Sequence, residues 1–296
     1  MTISILGTNG FLSTAIGYYF QQQGYIINCF GLEPPTHSYD SFYAIDLVNQ
    51  NFDVSFLLDS DLIIYAIGAG IQSNLREKED IIYKLNVFSP VSLCLQLRDK
   101  NYNGVFVSFG SYFEMGETMQ RYPFAEEDVI NSSAPAPNDY TVSKRMFSKF
   151  VSSYRHDFTH WHFILPTIYG QGENPNRLIP YTINALKNGL VPNFTSGEQI
   201  RQYIHVKEIS VIIQKSVQMR LHGGIYNVGG VDTVSVHQLI EIIYNKLDQQ
   251  MSESVFNQSE RVDTAMQYLA LDGSKLYNLI NYNPIISIKE SISDYI

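Results

Sequence analysis

Short apolar runs alternate, in the first half of the chain, with longer segments whose apolar residues recur at helical spacing. The longer segments predict helices at Leu12 to Gln23, Ile81 to Arg98 and Tyr140 to Tyr154. The apolar runs predict strands at Thr2 to Leu6, Tyr25 to Phe30, Leu62 to Ala66, Gly104 to Ser108 and His162 to Leu165. Because parallel strands need a long crossover, usually a helix, this alternation predicts an α/β fold with a doubly wound, mostly parallel sheet.

The second half of the chain has a looser pattern. From residue 170 onward, clusters of Gly, Asn and Pro flank or precede two predicted helices, Leu178 to Lys187 and His237 to Lys246. We therefore expect residues 1–169 to form the sheet domain, with some later segments returning to it. Residues 170–296 are expected to form mainly a smaller C-terminal α/β cap.

The composition is that of an ordinary globular protein, with 45% apolar and 17% charged residues among 296. The 20 Lys and Arg against 29 Asp and Glu give a net charge of −9, which disfavours nucleic acid and anionic membranes as partners. Cys29 and Cys94 are too few and too far apart for a disulfide framework or a zinc site, which favours a reducing compartment and no metal. The first predicted strand begins at Thr2, which leaves no room for a signal peptide, and no apolar run reaches the roughly 18 residues of a membrane span. We therefore expect a cytoplasmic protein.

A glycine turn follows the first predicted strand directly and leads into a helix, as Gly7-Thr-Asn-Gly10-Phe-Leu-Ser13. Glycines let the backbone approach a phosphate closely, and the free N–H groups of a helix N-terminus attract the anion. The third glycine of the usual pattern is replaced by Ser13, which is small enough to keep the helix close to the sheet. The turn is therefore predicted to bind a dinucleotide pyrophosphate, and an ordinary structural turn is the alternative.

The end of the second predicted strand bears on the choice between NAD and NADP. A carboxylate there accepts a hydrogen bond from the ribose 2′-OH and repels a 2′-phosphate. That position falls at Gly31, with Glu33 close behind it and no Arg nearby to hold a phosphate. Asp46, followed by Leu47, is placed either to contact the adenine or to be a solvated turn residue. The sequence leaves the choice of cofactor open.

Tyr140 and Lys144 are four residues apart at the start of a predicted helix, so they share one helix face. An adjacent cation stabilises a phenolate and lowers the tyrosine pKa from about 10 toward the range useful for proton transfer. A hydroxyl near the end of the Gly104 to Ser108 strand can bond the same oxygen; Ser111 is the candidate, and Ser108 is the alternative, which also suits a structural hydrogen bond. The pair alone arises by chance in many chains, whereas its combination with the glycine turn and the serine is much more specific.

With these residues in place, the chain resembles the extended short-chain dehydrogenases/reductases, a family of nucleotide-sugar epimerases, dehydratases and ketoreductases with a Rossmann-type fold. The resemblance covers nearly the whole chain and implies an NAD- or NADP-binding first domain and a cap that holds a sugar nucleotide. It rests on Gly7-x-x-Gly10, Asp46-Leu47, Ala66-Ile-Gly-Ala69, Asn86-Val87, Ser111, Tyr140 with Lys144, Pro166-Thr-Ile-Tyr-Gly170, the segment from Gly197 through Arg201 to Val206, and Arg261-Val-Asp263.

Motifs and resemblance together assign candidate residues to three roles. The catalytic candidates are Ser111, Tyr140 and Lys144. The substrate-binding candidates are Ser111, Thr167, Asn176, Arg201 and Arg261; the two arginines suit a diphosphate, with a structural salt bridge as the alternative for each. The candidates for contact with the cofactor are Gly7, Asn9, Gly10, Phe11, Leu12, Gly31, Asp46, Leu47, Ala66, Ile67, Gly68, Asn86, Ser108, Tyr140, Lys144, Pro166 and Ile168.

Two departures from the family pattern narrow the expected reaction. The family's dehydratases carry Asp-Glu directly after the catalytic hydroxyl, whereas Tyr112 and Phe113 follow Ser111 here, so dehydration is disfavoured. The family's epimerase-reductases place a Cys close to that hydroxyl, and neither cysteine of this chain lies near Ser111.

The resemblance therefore implies NAD(P)H-dependent reduction of the 4-keto group of a dTDP- or CDP-linked 4-keto-6-deoxyhexose, making a deoxysugar for surface polysaccharide. A reductase favours NADPH over NADH. A 4-epimerase with tightly bound NAD is the alternative, and a non-catalytic dinucleotide sensor is a remote one, since both Tyr140 and Lys144 are present. The family also implies a homodimer that pairs through the helices containing Asn86 and Tyr140 as a four-helix bundle.

Overall fold

Two β-sheets of different size organise the chain in the computed structural model, which describes residues 1–50, 52–71, 77–154, 157–259 and 266–296. Arg261 lies outside the described residues. Within these ranges, no helix combines the length and the apolar character that crossing a bilayer requires. The same residues contain no group of three or more His, Cys, Asp or Glu side chains placed to hold a metal ion.

The strands, in chain order, are β1 (Thr2–Leu6), β2 (Ile26–Gly31), β3 (Ser41–Ala44), β4 (Leu62–Tyr65), β5 (Val105–Ser111), β6 (Thr159–Leu165), β7 (Thr167–Tyr169), β8 (Ile200–His205), β9 (Gly224–Asn227), β10 (Asp232–Ser235) and β11 (Tyr268–Leu269). The α-helices are α1 (Phe11–Gln22), α2 (Glu79–Tyr83), α3 (Ser89–Asp99), α4 (Glu126–Ile130), α5 (Asp139–Ser153), α6 (Leu178–Lys187), α7 (Val206–Gln218), α8 (Val236–Lys246), α9 (Ser274–Ile280) and α10 (Ile288–Ser291). A π-helix, Lys84–Phe88, joins α2 to α3, and 3-10 helices lie at Val54–Leu57, Tyr112–Met115, Glu253–Val255 and Ile292–Tyr295.

The large sheet has the order β3-β2-β1-β4-β5-β6-β9, and every neighbouring pair in it is parallel. This confirms the doubly wound α/β fold. The order reverses between β1 and β4: from β1 the chain continues outward through β2 to β3, and it then crosses back to β4 and continues through β5 and β6 on the other side. Ligands of such sheets bind beyond the carboxyl ends of the strands at this reversal.

Helices cover both faces of the large sheet, which explains why its strands are continuous apolar runs. Alternate residues of β4 enter different core clusters. Leu62 and Ile64 share a cluster with residues of α1 and α7, whereas Ile63 and Tyr65 share one with residues of α3, including the buried Cys94.

Several segments beyond residue 170 lie with the large sheet, among them α9, which buries Leu276 and Ile280 in its core. Helix α7 packs on α1, where Tyr19 donates to Gln214 Oε1 at 2.5 Å, and β9 pairs with β6. The cap is built on the small sheet, in which β8 pairs with β7, β10 and β11. Helices α6 and α8 bury Ile183 and Leu239 in a separate core cluster with this sheet.

Two strands run further than the apolar pattern predicts. Strand β5 continues to Ser111, and β6 begins at Thr159 rather than at His162. The reason is a buried polar cluster, in which Ser108 Oγ lies 2.7 Å from both His160 Nε2 and His162 Nδ1. Polar side chains that satisfy one another inside the sheet leave no apolar signal in the sequence.

The single helix predicted over Ile81 to Arg98 is three consecutive helical segments. The π-helix Lys84–Phe88 interrupts it and buries Asn86 and Val87. Such π segments occur frequently at functional sites. Here the extra residue brings Asn86 toward the loop that follows β4.

Candidate active site

The glycine turn after β1 has the geometry of an anion cradle. Gly7 adopts a φ of +97°, and a Cβ there would lie 2.9 Å from Ile67 Cγ1. Gly10 is the N-cap of α1, and no side chain caps the helix. The N–H groups of its first turn can therefore serve a bound anion.

Ser13 holds this turn from inside. Its side chain is buried, and its hydroxyl donates to the carbonyls of Thr8 at 2.6 Å and Gly10 at 3.0 Å. Phe11 and Leu12, the first residues of α1, are partly buried, and Leu12 packs against the core of the sheet. The serine in the place of the third glycine therefore fixes the turn as well as allowing close packing.

A cavity of about 350 Å³ opens beside the turn, at the edge formed by the ends of β1, β2 and β4. Its size lies in the range of small-molecule sites, about 300–1,000 Å³. Six predicted cofactor residues line it: Gly7, Asn9, Gly31, Asp46, Leu47 and Ile67. Glu33, noted in the sequence as the nearest carboxylate after the second strand, also lines it, and the other lining residues, which the sequence does not single out, are Thr8, Leu32, Ile45, Val48 and Leu85.

The loop after β2 is pinned to the glycine turn. Thr8 Oγ1 donates to the Glu33 carbonyl at 2.7 Å, and Asn9 Nδ2 donates to the Pro34 carbonyl at 3.1 Å. A Cβ on Gly31 would lie 2.4 Å from Thr8 Oγ1, so this strand end requires glycine. The Asn9 side chain thus bonds the loop after β2, so only the backbone of Asn9 is available to bind a cofactor.

Asp46 faces the same cavity as a fixed carboxylate. It accepts hydrogen bonds from the backbone of Val48 at 3.0 Å and from Asn49 Nδ2 at 2.8 Å. The bonds from Asn49 are the main reason that its pKa is lower than usual. Asp46 therefore forms a turn and lines the cavity, and its contact with the adenine stays a prediction.

The loop after β4 carries Ala66, Ile67 and Gly68 past the cavity. Asn86 was predicted to contact the cofactor, but its carboxamide bonds the Ala69 N–H at 3.0 Å, the Ala69 carbonyl at 2.9 Å and Ser143 Oγ at 2.9 Å. Because these bonds use the buried amide, Asn86 supports the loop rather than binding a ligand. Gly68 is exposed, and a Cβ there would lie 3.9 Å from Lys144 Nζ.

Helix α5 brings the proposed catalytic pair to the same cleft. Asn138 caps the helix by accepting from the Thr141 N–H at 3.0 Å, which places Tyr140 in the first turn and Lys144 one turn later. Lys144 Nζ lies 5.9 Å from the centre of the Tyr140 ring and donates to the Phe109 carbonyl at 2.9 Å. The ammonium therefore faces the tyrosine ring from a buried position.

The pKa values of this pair are dominated by desolvation. Burial raises the pKa of Tyr140 to about 12, against a hydrogen bond with Ser111 that lowers it. Burial lowers the pKa of Lys144 to about 8, and the charge of Glu114 partly opposes this. The expected lowering of the Tyr140 pKa toward neutrality is therefore outweighed in this structure by desolvation of the phenol, while Lys144, which faces the ring, donates its hydrogen bond to a backbone carbonyl.

The two candidate serines have different surroundings. Ser111 ends β5 and caps the following 3-10 helix. Its hydroxyl lies close enough to Tyr140 to lower the pKa of the phenol by hydrogen bonding. Ser108, predicted to contact the cofactor, is fully buried, and its hydroxyl bonds His160 and His162. That hydroxyl cannot reach the cleft, which corrects the prediction for Ser108 and leaves Ser111 beside the phenol.

The two positions after Ser111 are aromatic and packed. Tyr112 is buried, and its hydroxyl lies 2.5 Å from Thr167 Oγ1. The Phe113 ring meets the Tyr140 ring edge to face, with centres 6.3 Å apart. Thr167, a predicted substrate residue, is therefore connected to the segment that carries Ser111, and Pro166 and Ile168 flank it with little exposure.

Arg201, on β8, is a buried cation at the cap side, with 8% exposure. Its guanidinium donates to the Ile200 carbonyl at 2.9 Å and to Gln199 Oε1 at 3.4 Å. Among the described residues no carboxylate pairs with it. A guanidinium held by neutral acceptors retains charge for an anionic ligand.

Arg177, which follows the predicted substrate residue Asn176, is a second cation near this site. It forms an ion pair with the buried Glu173 at 3.2 Å, and its charge lowers the pKa of both Tyr112 and Tyr140. Its charge therefore acts on two tyrosines of the catalytic end. Its neighbour Asn176, a predicted substrate residue, is exposed, and its backbone N–H donates to Asn174 Oδ1 at 2.8 Å.

This arrangement of a glycine cradle, a serine and a Tyr-Lys pair is matched by a sequence model of the NAD dependent epimerase/dehydratase family over residues 3–229. The chain belongs to this family. The resemblance drawn from the Gly7 turn, Ser111 and the Tyr140/Lys144 pair is thereby confirmed.

Three proteins resemble the chain over different lengths. A dTDP-glucose 4,6-dehydratase of Escherichia coli is 28% identical over 54% of this chain and 47% of its own length, so the chain spans about half of that relative. A CDP-abequose synthase of Salmonella muenchen is 25% identical over 81% of this chain and 79% of its own length. The structure of a UDP-glucose 4-epimerase from Thermotoga maritima superimposes with a TM-score of 0.82 at 14% identity, covering 100% of this chain and 97% of that one.

Proposed function

We propose that this protein reduces the 4-keto group of a nucleotide-activated 4-keto-6-deoxyhexose, carried on dTDP or CDP, with a nicotinamide cofactor. The observation that carries the proposal is that the Ser111 hydroxyl and the Lys144 ammonium both lie beside Tyr140. Lys144 Nζ would also lie 3.9 Å from a Cβ on Gly68, in the loop whose Ile67 lines the cavity beside the Gly7 cradle. Its product would be a deoxysugar for surface polysaccharide. The resemblance to CDP-abequose synthase across most of both chains supports this choice.

Each catalytic residue acts on the substrate carbonyl oxygen. Tyr140 donates its phenolic proton to that oxygen, and Ser111 donates a hydrogen bond to it. Lys144 stabilises the phenolate that Tyr140 becomes, which matters because burial makes the phenol a weak acid. A bound reduced nicotinamide would supply the hydride to the keto carbon.

Dehydration is disfavoured because aromatic residues occupy the two positions after Ser111. Elimination of water needs a second acid and base, and Tyr112 and Phe113 supply neither, since Tyr112 bonds Thr167 and Phe113 packs on Tyr140. Glu114 comes next along the chain but is fully buried, so it cannot reach a sugar in the cleft.

The cradle fits NAD(H) better than NADP(H). Glu33 and Asp46 line the cavity, and no Lys or Arg does so among the described residues. A 2′-phosphate would therefore meet two carboxylates without a compensating cation. We propose NADH as the reductant, in place of the NADPH that a reductase favours on sequence grounds.

The cap would hold the sugar nucleotide through cations. Arg201, which no described carboxylate neutralises, would bind the diphosphate, and Arg177 lies close enough to the catalytic pair to help. Guanidinium groups suit phosphate oxygens in both charge and geometry. Thr167 and Asn176 would contact the remainder of the nucleotide sugar.

The direct test is a panel of dTDP- and CDP-linked 4-keto-6-deoxyhexoses, each incubated with the protein and NADH or NADPH. Oxidation of the cofactor, with one alcohol formed for each cofactor consumed, is the expected result. The same panel with 4-hydroxy sugar nucleotides and no added cofactor tests the epimerase. No reaction of any 4-keto sugar would contradict the proposal.

A 4-epimerase is the second candidate, because the structural likeness to the Thermotoga maritima enzyme covers essentially the whole chain. An epimerase returns the hydride to the same sugar and has no need to release its cofactor. Protein that purifies with stoichiometric NAD and interconverts 4-hydroxy epimers without added cofactor would favour it. Protein that purifies free of NAD and consumes NADH would favour the reductase.

A homodimer through the helices around Asn86 and Tyr140 belongs to the same proposal. Phe88 is 58% exposed and Met146, on α5, is 44% exposed, although both are large apolar side chains. Burial of such side chains in a second copy would stabilise a dimer. Sedimentation of the wild-type chain and of Phe88→Glu tests this, since the substitution should shift a dimer toward the monomer.

A further inference from the structure

A buried carboxylate lies directly behind the catalytic residues and has no part in the chemistry proposed above. Glu114 belongs to the 3-10 helix after β5, and its side chain is 0% exposed. Its Oε1 accepts from the Ser111 N–H at 2.7 Å, and its Oε2 is buried without a hydrogen-bond partner among the described residues. A carboxylate in such a place needs compensating charge or donors.

Two cations on α5 face Glu114 without bonding its carboxylate. Lys144 donates to the Phe109 carbonyl, and Arg145 donates to the backbone carbonyls of Glu114, Met115 and Ala134. Burial raises the pKa of Glu114, and the charges of Lys144 and Arg145 oppose this rise. The charge of Glu114 in turn raises the pKa of Lys144. The carboxylate and the ammonium thus stabilise each other's charged forms.

A chain of hydroxyl and imidazole groups leads from Glu114 into the sheet. Ser148, whose hydroxyl lowers the Glu114 pKa by hydrogen bonding, lies 2.8 Å from His162 Nε2. Beyond His162, Ser108 bridges to His160. When both imidazoles are neutral, each hydroxyl or imidazole N–H of this series can donate to the next group in the direction of Glu114. The Glu114 carboxylate then accepts the last of these hydrogen bonds.

Gly110 provides the space in which this chain meets Glu114. A Cβ on Gly110 would lie 2.6 Å from Glu114 Oε1 and 2.8 Å from His162 Nε2. A side chain at residue 110 would therefore displace Glu114 or His162. The glycine, the buried acid and the buried imidazole therefore form one packed unit behind Ser111.

We propose that Glu114 is a positioning residue: as a buried carboxylate it holds Lys144 in its charged form and keeps Ser111 turned toward Tyr140. The effect of Glu114 on catalysis rests on the proposed function, whereas its effect on the charge of Lys144 does not. The groups that face Glu114 are Tyr140, Lys144, Arg145 and Ser148 from α5, Ser111 from β5 and His162 from β6. Arg145 stays charged at every working pH, so Lys144 is the cation whose charge responds.

The test is Glu114→Gln, which keeps an oxygen to accept from the Ser111 N–H but removes the charge. The titration midpoint of Lys144 should fall by about one pH unit, the smaller end of the shift that a nearby charge causes. NMR of protein labelled with [ε-13C]lysine measures this midpoint without substrate, and Lys144→Arg assigns the resonance. The alkaline limb of the pH profile for ketoreduction should move down by the same amount.

Glu126→Gln is the matched control. Glu126 is also buried, at 5% exposure, and accepts a backbone N–H, that of Asn227, at 3.0 Å, but its charged neighbour is Lys275. This variant should lower thermal stability and leave the Lys144 midpoint unchanged. If Glu114→Gln behaves in the same way, Glu114 only caps its helix and the proposal is overturned.

Two further outcomes separate the possible failures. A lower Lys144 midpoint without any ketoreduction would contradict the proposed function alone, whereas an unmoved midpoint in an active enzyme would contradict the role of Glu114 alone. Should Glu114→Gln not fold, the wild-type protein decides. Its Glu114 carboxyl carbon must show the chemical shift of a carboxylate at neutral pH, and the shift of a protonated acid would overturn the proposal.

Discussion

The cofactor cradle and the catalytic end of the cleft depend on different physical properties of the chain. The cradle uses backbone shape: Gly7 and Gly31 leave room that a Cβ would fill, and the start of α1 offers N–H groups. The catalytic end uses buried charge, with Lys144 and Glu114 withdrawn from water and dependent on each other. The cradle should therefore respond to changes of shape, and the catalytic end to changes of charge and of pH.

The largest effect is expected from Tyr140→Phe, which removes one oxygen from the catalytic end and leaves the cradle intact. Turnover should fall by roughly 10²- to 10⁴-fold, the usual contribution of a positioned proton donor. Affinity for NADH should stay within about threefold, since the cradle relies on backbone groups. Steady-state kinetics and calorimetric titration of NADH measure the two effects. Turnover close to that of the wild type would remove Tyr140 as the acid.

Gly7→Ala tests the cradle by shape alone. The new Cβ would lie 2.9 Å from Ile67 and occupy the floor of the cavity, so NADH affinity should fall about tenfold or more, equivalent to about 1.4 kcal/mol. The control is Gly24→Ala, which also has a positive φ, +76°, but has no atom within 4 Å of the new Cβ. Both variants should lose about 1–2 kcal/mol of folding stability from backbone strain. Equal loss of NADH affinity in both variants would show that the cradle does not hold the cofactor.

The pH profile tests the catalytic end by charge alone. Lys144 must be protonated to stabilise the phenolate, and its pKa is about 8. Turnover should therefore be level below that pH and fall about tenfold for each unit above it, as expected for a single required proton. In Lys144→Arg any residual turnover should lose this limb, because a guanidinium keeps its proton. A wild-type profile that stays level to about pH 10, the usual lysine range, would contradict the role of the Lys144 charge.

The same contrast separates what could be predicted from the sequence from what could not. The doubly wound sheet follows from apolar runs and helical spacing, and the cradle from the spacing of Gly7 and Gly10, because these are local patterns. Tyr140 and Lys144 could be found because helical spacing alone brings them together.

The groups behind the catalytic pair could not be predicted in this way. Glu114 is an ordinary acidic residue in the sequence, and its burial depends on Gly110, Ser148 and His162, which come from other elements. Ser108 satisfies the local rule for a cleft hydroxyl but is bonded to imidazoles from β6. Arg177, at the start of α6, is selected only by the fold, in which its charge lowers the pKa of Tyr140. The roles of these residues depend on contacts between elements that are distant in the sequence, and no local sequence pattern indicates such contacts.

The smallest expected effect lies where the cradle carries charge, at Glu33. Glu33 is exposed and lines the cavity without a cation beside it among the described residues. Repulsion between exposed charges near contact is worth about 1 kcal/mol in water, so Glu33→Ser should raise the affinity for NADPH relative to NADH by about fivefold. Competition titrations of the two cofactors measure this ratio.

The control for Glu33→Ser makes the same change of net charge elsewhere on the large sheet. Asp59 is exposed and precedes β4, at the edge of the sheet opposite the cradle. Asp59→Ser should leave the cofactor ratio unchanged, because charges separated by more than about 8 Å are screened at physiological salt. An equal change in both variants would mean that overall charge, and not the carboxylate at the end of β2, selects the cofactor. In that case the carboxylate of the cradle would have no part in the choice of cofactor, and the contrast between a cradle built on shape and a charged catalytic end would be complete.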